Sequence, residues 1–149
     1  MPQAAFTPWW RLLHDSFGYA VKLHRWKIQS VESPVCRICS AAPEDDYHFV
    51  VGCPLKWQLW HDALSNLDYS FEHLTPEAVW SFMVTFHSPS GVPGTPHILR
   101  RLGFVNATLW KYHWRCVYAN TPWSTAAAYL MFQQEYRLLL PRIRRTVTA

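Results

Sequence analysis

The sequence lacks any long hydrophobic run, and its first residues lack the basic and then apolar layout of a signal peptide. A helix that crosses a bilayer needs about 20 consecutive apolar residues, so no membrane association is expected. Disorder is excluded as well, because it requires low hydrophobicity, and 50% of this chain is hydrophobic. We therefore expect a folded intracellular protein, in the nucleus or the cytoplasm, whose cysteines stay reduced.

The residue patterns of common catalytic sites are also missing. There is no glycine-rich phosphate-binding loop and no credible pair of nucleophile and base. The local carboxylate cluster at Glu44, Asp45 and Asp46 is interpreted as charge in the first turn of a helix, where it is favourable to the helix dipole. Catalysis by two metal ions on these carboxylates is the less favoured alternative. We therefore expect that the protein is not an enzyme.

No segment alternates polar and apolar residues with period two, which argues against β-strands. Four Thr-Pro pairs instead precede apolar residues at helical spacing, at Thr7, Thr75, Thr95 and Thr121. Threonine is a favoured N-cap, and proline is favoured at the first helical position because its missing N–H would have no partner there. The sequence therefore predicts a mostly α, multi-helix fold with little or no β structure.

The predicted helices follow these starts and end near glycine, proline or polar residues. Leu13 is predicted to face inward in the first helix, which starts at residue 8. Either Trp57 or Trp60 is predicted to face inward in the helix that starts at residue 54, and Phe86 in the helix that starts at residue 76. Pro141 is expected to end the last helix. Helices are predicted over 8–17, 19–27, 54–67, 76–86, 96–118 and 122–140, with a single helical turn near 44–50.

Three of the four cysteines form a short pattern with one histidine. Cys36 and Cys39 are separated by two residues, His48 follows after eight more, and Cys53 after a further four. The two thiolates of a Cys-x-x-Cys turn can point at one centre, and two more ligands then complete a tetrahedron around Zn²⁺. Such a site is closed, because no position remains for a catalytic water. We predict one structural Zn²⁺ in a Cys3His, zinc-knuckle-like loop.

Two alternatives to this ligand set remain open. The Cys-x-x-Cys pair could be two buried thiols or a redox dithiol, although its flanks lack the strand and following helix of a thioredoxin-type motif. Cys116 is far from the pattern and is expected to be a small core residue of the long helix. It is the best substitute ligand if His48 proves to be structural, and the sequence leaves open whether Cys116 or another histidine replaces a proposed ligand.

The cysteine and histidine pattern resembles the zinc-binding domain found downstream of the reverse transcriptase in non-LTR retrotransposon polyproteins. Trp10 and the stretch Leu23-His-Arg-Trp26 resemble the helical segment that precedes that domain, so the resemblance covers about residues 9–64. It implies the same four zinc ligands, and it implies a C-terminal fragment or a domesticated derivative of a retroelement protein. The features that carry it are, in order, Cys36-Arg-Ile-Cys39, Glu44-Asp-Asp-Tyr-His48-Phe49, Cys53-Pro54 and the following Trp57 and Trp60.

The loop at 88–94 is the candidate boundary within the chain. Residues 1–87 are expected to hold the helical lead-in and the zinc-binding domain. Residues 95–149 are expected to hold a C-terminal pair of helices that packs on the first part. Charge also differs along the chain, with a net charge of +3 over residues 1–39, −6 over 40–80 and +7 over 81–149. Basic ends of this kind can bind a polyanion or neutralise the acidic middle.

The resemblance implies a module that assists RNA or DNA binding by a reverse transcriptase. The alternative is a protein-interaction scaffold pinned by zinc, which docks on a reverse transcriptase domain or another protein and binds no nucleic acid. In the first case the phosphate contacts would come from basic side chains of the long helix and the C-terminal tail. The candidate nucleic-acid-binding residues are Arg100, Arg101, Lys111, Arg115, Arg142, Arg144 and Arg145.

Overall fold

A computed structural model describes residues 3–65 and 74–147, without the side chains of residues 139–147. Over these ranges the chain is helical, and its only β pairing is two isolated bridges, Val35 with Pro43 and His87 with Pro93. The predicted mostly α, multi-helix class is confirmed. The helices are α1 (Gln3–Leu13), α2 (Ala20–Arg25), α3 (Pro54–Leu64), α4 (Pro76–Thr85), α5 (Pro96–Ala119) and α6 (Thr125–Val147), with a π-helical turn at His48–Gly52 before α3.

Two of the four predicted Thr-Pro helix starts are confirmed. The Thr75 hydroxyl accepts a hydrogen bond from the Ala78 N–H at 3.2 Å and begins α4. The Thr95 hydroxyl does the same for the Ile98 N–H at 3.2 Å and begins α5. In both helices proline occupies the first turn, so the N-cap geometry that the sequence predicts is the observed one.

The other two Thr-Pro starts are wrong. Helix α1 begins at Gln3 and contains Pro8, and the Thr7 hydroxyl donates to the Gln3 carbonyl at 3.0 Å instead of capping. Helix α6 begins at Thr125, where the Ser124 hydroxyl accepts from the Ala127 N–H at 3.2 Å. A nearby polar side chain or an earlier helical segment therefore outcompetes the local Thr-Pro signal.

Several predicted helix ends are also wrong. Helix α1 ends at Leu13, four residues before the predicted end, and Asp15 then adopts a positive φ of 48°. Helix α6 continues through Pro141 to Val147, although an interior proline loses one backbone hydrogen bond and crowds the preceding turn. The predicted extension of the third helix beyond residue 65 lies outside the described residues.

Helix α5 is the centre of the fold. It packs against α1, α3 and α6, and residues 102–109 are buried on every side of the helix. Of the side chains predicted to face inward, Trp60 is buried and Trp57 is half-buried, whereas Leu13 and Phe86 are exposed. Phe86 is the left-handed C-cap of α4, so its side chain leaves the apolar stripe of that helix. The division of the chain into 1–87 and 95–149 stays a prediction.

The packing fixes the segment between α2 and α3 against the rest of the molecule. The π-helical turn contacts both α3 and α4, and α3 contacts α5 and α6. The Arg101 guanidinium Nε donates to the Ala63 carbonyl at 2.8 Å, which ties the end of α3 to α5. None of the described helices has the length and hydrophobicity that crossing a membrane requires.

Candidate metal centre

A tight turn brings the first two cysteines together. The Cys36 N–H donates to the Ala42 carbonyl at 2.8 Å, and the Ser40 N–H donates to the Cys36 carbonyl at 2.9 Å. Ser40 adopts a positive φ of 55°, which allows the chain to reverse directly after Cys39. The bridge between Val35 and Pro43 closes this loop, so both thiols are presented to the same centre.

The histidine and the third cysteine lie at the two ends of the π-helical turn. The Asp45 carboxylate accepts a hydrogen bond from the His48 N–H at 2.7 Å, which caps the turn at its start. Cys53 is the N-cap residue of α3, and its carbonyl accepts the Trp57 N–H at 2.8 Å. Asp45 thus carries the role in a first helical turn that the sequence predicted for the acidic cluster.

The four predicted ligands converge. One ligand atom each of Cys36, Cys39, His48 and Cys53 lies within 4.8 Å of the others, and Cys39 Sγ is 3.3 Å from His48 Nε2. Ligand atoms bound to zinc at about 2.0–2.3 Å lie about 3.5–3.8 Å apart in a tetrahedron, so this cluster fits the ion. These four residues form a zinc-binding site.

Three of the four side chains have shifted pKa values. The hydrogen bond between the sulfurs of Cys36 and Cys53 raises the pKa of Cys36 and lowers the pKa of Cys53, as for two thiols that share one proton. Burial lowers the pKa of His48, and the nearby Lys56 charge lowers it further. The neutral imidazole that results is the form that binds metal. Three thiolates and one imidazole leave no ligand position open.

Residues 1–60 match the protein family described as zinc-binding in reverse transcriptase. Residues 1–60 carry a reverse-transcriptase zinc-binding domain. The match includes all four ligands, so the family resemblance predicted from the sequence is confirmed. It ends within α3, and α4 to α6 lie outside it. Among curated proteins and among solved structures, none matches the chain significantly.

The zinc-binding domain contains a buried lysine that sequence reasoning missed. Lys56 is fully buried, its ammonium donates to the Phe49 carbonyl at 3.0 Å, and it lies 3.9 Å from the centroid of the Phe49 ring. Burial lowers the pKa of Lys56, whereas Glu44 and the three cysteines act in the opposite direction. The signal in the sequence was its spacing, because Lys56 shares the inward face of α3 with Leu59, Trp60 and Ala63.

Glu44 connects this lysine to the helical lead-in of the domain. Its Oε2 atom lies 3.7 Å from Lys56 Nζ, and its Oε1 atom accepts the Ala20 N–H at 3.0 Å. The Glu44 carbonyl also accepts the Val21 N–H at 3.0 Å. The start of α2 is therefore bound to the same buried charge pair that adjoins the metal centre.

The other side of the centre rests on α3 and α5. The Trp60 indole N–H donates to the Val50 carbonyl at 2.7 Å, within the core. The Phe49 ring contacts the His113 ring with centroids 4.4 Å apart. Burial lowers the pKa of His113, so this imidazole is neutral and acts as a packing group. The zinc loop is thus held between the N-terminal helices and α5.

The candidate nucleic-acid-binding residues occupy different environments. Arg101 bonds to α3 and lies over the rings of Phe132 and Tyr136, and Lys111 pairs with Glu135 at 3.0 Å. Arg100 is half-buried and Arg115 is exposed, and the side chains of Arg142, Arg144 and Arg145 lie outside those described. Of the four candidates whose side chains are described, two are therefore engaged in contacts within the molecule. Their role in binding stays a prediction.

The ligand set gives a direct test with a matched control. The Cys116 sulfur faces the Pro122 carbonyl at 3.8 Å and is not part of the cluster. Cys116→Ser should therefore retain one zinc per chain, whereas Cys36→Ser should lose it. Elemental analysis of the purified proteins measures both. If Cys116→Ser lost its zinc while His48→Ala kept it, the assignment of the four ligands would be wrong.

Proposed function

We propose that this protein is a non-catalytic zinc module of non-LTR retroelement origin that assists RNA or DNA binding by a reverse transcriptase. The observation that carries the proposal is the closed Cys3His centre within a reverse-transcriptase zinc-binding domain. Because no ligand position is open, the zinc acts by holding α2, the π-helical turn and α3 in one arrangement. The partner is a nucleic acid, together with a polymerase domain that supplies the chemistry.

Charge supports a polyanionic partner. The chain has a formal net charge of +4 and a pI near 9.0, and its acidic residues are concentrated in the middle. Three of those carboxylates are used inside the domain, since Glu44 pairs with Lys56 and Asp45 and Asp46 bind backbone N–H groups. Of these three carboxylates, only Glu44 is paired with a cation, so the acidic middle opposes a phosphate backbone by one charge less than its composition indicates.

Binding measured against salt concentration tests the proposal. Each phosphate neutralised by a lysine or arginine releases counterions, so three contacts to a single strand give a logarithmic slope of roughly −2. We expect the zinc-loaded protein to bind a labelled oligonucleotide at about 50 mM salt and to lose most of that affinity by about 200 mM. Fluorescence anisotropy measures both.

A second candidate function, the protein-interaction scaffold, is supported by one surface. Phe6, Trp10 and Leu13 are exposed and lie at helical spacing on the outer side of α1. An apolar stripe of this kind is typical of a protein contact. If zinc-loaded protein showed no binding to RNA or DNA at about 50 mM salt, the scaffold would be the better account.

A further inference from the structure

The turn that follows α2 exposes aromatic and basic side chains together. Residues 24–30 are all exposed, although two of them are large and apolar. Trp26 is 60% exposed and Ile28 is 43% exposed, and they alternate with Arg25 and Lys27. Single exposed apolar residues are ordinary on protein surfaces, but an indole between two cations has the composition of a site for stacked bases and phosphates.

Arg25 and Lys27 form no ion pair within the described part of the chain. The sequence has no acidic residue from 16 to 31. Lys22, in contrast, pairs with Asp15 at 3.3 Å, and its ammonium lies 5.0 Å from the Trp26 ring centroid. One side of the indole is thus held by Lys22 while most of the ring stays open to solvent.

The backbone of the turn is ordered by a Schellman motif. The Ile28 N–H donates to the Leu23 carbonyl at 3.2 Å, and the Lys27 N–H donates to the His24 carbonyl at 3.0 Å. Lys27 occupies the left-handed position of this motif, with a φ of 54°. Glycine is the favoured residue there, because a side chain is strained in this conformation. A lysine at this position is therefore unfavourable for the turn itself.

The metal centre fixes the direction of the turn. The first two N–H groups of α2, from Ala20 and Val21, bind the side chain and the carbonyl of Glu44. Glu44 in turn pairs with buried Lys56, beside the zinc ligands. Since α2 has six residues, its far end and the exposed turn are held about 9 Å from this anchor along the helix axis.

We propose that Arg25, Trp26 and Lys27 form a contact for single-stranded nucleic acid, in which Trp26 stacks on a base and the two cations bind the flanking phosphates. This inference rests on the proposed function and names the surface that carries it. It moves the contact from the long helix, where Arg101 and Lys111 are engaged within the molecule, to the lead-in of the zinc-binding domain. Stacking requires an unpaired base, so single strands are preferred over duplex.

Anisotropy with single-stranded and duplex oligonucleotides of about 12 nucleotides, as RNA and as DNA, tests this contact. Trp26→Ala should weaken single-strand binding about 5- to 100-fold, whereas Trp26→Phe should keep most of the affinity. Arg25→Gln should flatten the salt dependence by roughly one contact, a slope change of about 0.7. Tyr118→Ala is the matched control, because Tyr118 is the most exposed of the described aromatics, at 82%, and lies on α5.

Lys27→Gly separates binding from folding. Glycine suits the left-handed position, so this variant should melt at the same or a higher temperature while it binds more weakly. If the wild type binds, but Trp26→Ala, Arg25→Gln and Lys27→Gly bind equally well, this inference is overturned and the proposed function stands. An equal loss of affinity in Tyr118→Ala and Trp26→Ala would overturn the inference in the same way. A zinc-loaded wild type that binds neither RNA nor DNA overturns both.

Discussion

Replacing Cys53 with serine should remove the zinc and unfold the segment from Pro34 to Trp60, and not merely loosen one loop. Structural zinc in finger peptides contributes an apparent free energy of about 10–16 kcal/mol, as much as the entire stability of a typical domain. Cys53 is also the N-cap residue of α3, so its sulfur joins the metal to a helix that packs on α5 and α6. The damage should therefore extend into the core.

Three measurements on Cys53→Ser detect the loss of zinc and the unfolding. Elemental analysis should show no zinc, far-UV circular dichroism should show less helix, and tryptophan fluorescence should shift to the red. The fluorescence reports the core because the Trp60 indole is buried and bonded to the Val50 carbonyl. Chelation of the wild type should reproduce all three changes, and Cys116→Ser should show none. An unchanged fluorescence spectrum after verified zinc removal would disprove the coupling between the metal and α3.

Lys56→Met should destabilise the protein by about 3–5 kcal/mol, because removing one partner of a buried ion pair leaves the other charge uncompensated. The remaining Glu44 carboxylate would then lie beside a zinc–thiolate centre whose own charge is −1. Denaturant unfolding measures the change in the free energy of unfolding. Lys111→Met is the matched control: its ion pair with Glu135 is 40% exposed on the lysine side and is worth at most about 1 kcal/mol.

The double variant Lys56→Met with Glu44→Gln separates the effect of the ion pair from the other effects of each substitution. Removing both charges should recover part of the lost stability, since buried pairs replaced together are tolerated better than one partner alone. A double-mutant cycle then gives the interaction free energy of the pair. If Lys56→Met lowered the free energy of unfolding as little as Lys111→Met, the Lys56 ammonium would not compensate the negative charge of Glu44 and the metal centre.

The features predicted correctly from sequence depend on residues that lie close together along the chain. The zinc ligands were identifiable because two thiolates, an imidazole and a further thiolate within eighteen residues have the spacing of a zinc site. The starts of α4 and α5 were correct because a threonine N-cap and a following proline act within one turn. Both predictions needed no knowledge of what packs on the segment.

The features that were missed depend on tertiary contacts. A lysine is expected in water, so the burial of Lys56 follows only once Glu44 and the Phe49 carbonyl are placed beside it. Arg101 and Lys111 shared a helix with other cations, but their partners are Ala63 on α3 and Glu135 on α6. Helical periodicity shows which residues share a face, and it does not show what that face meets.

The four ligand residues differ in solvent exposure, so reagents are expected to approach the centre from the side of the most exposed one. Cys36, His48 and Cys53 are buried, whereas Cys39 is half-buried and is the most exposed of the four ligand residues. Metal exchange, attack by an electrophile and oxidation all begin at a thiolate that a reagent can reach. The thermodynamic stability of the site is shared among four ligands, and we expect loss or exchange of the bound ion to begin at Cys39.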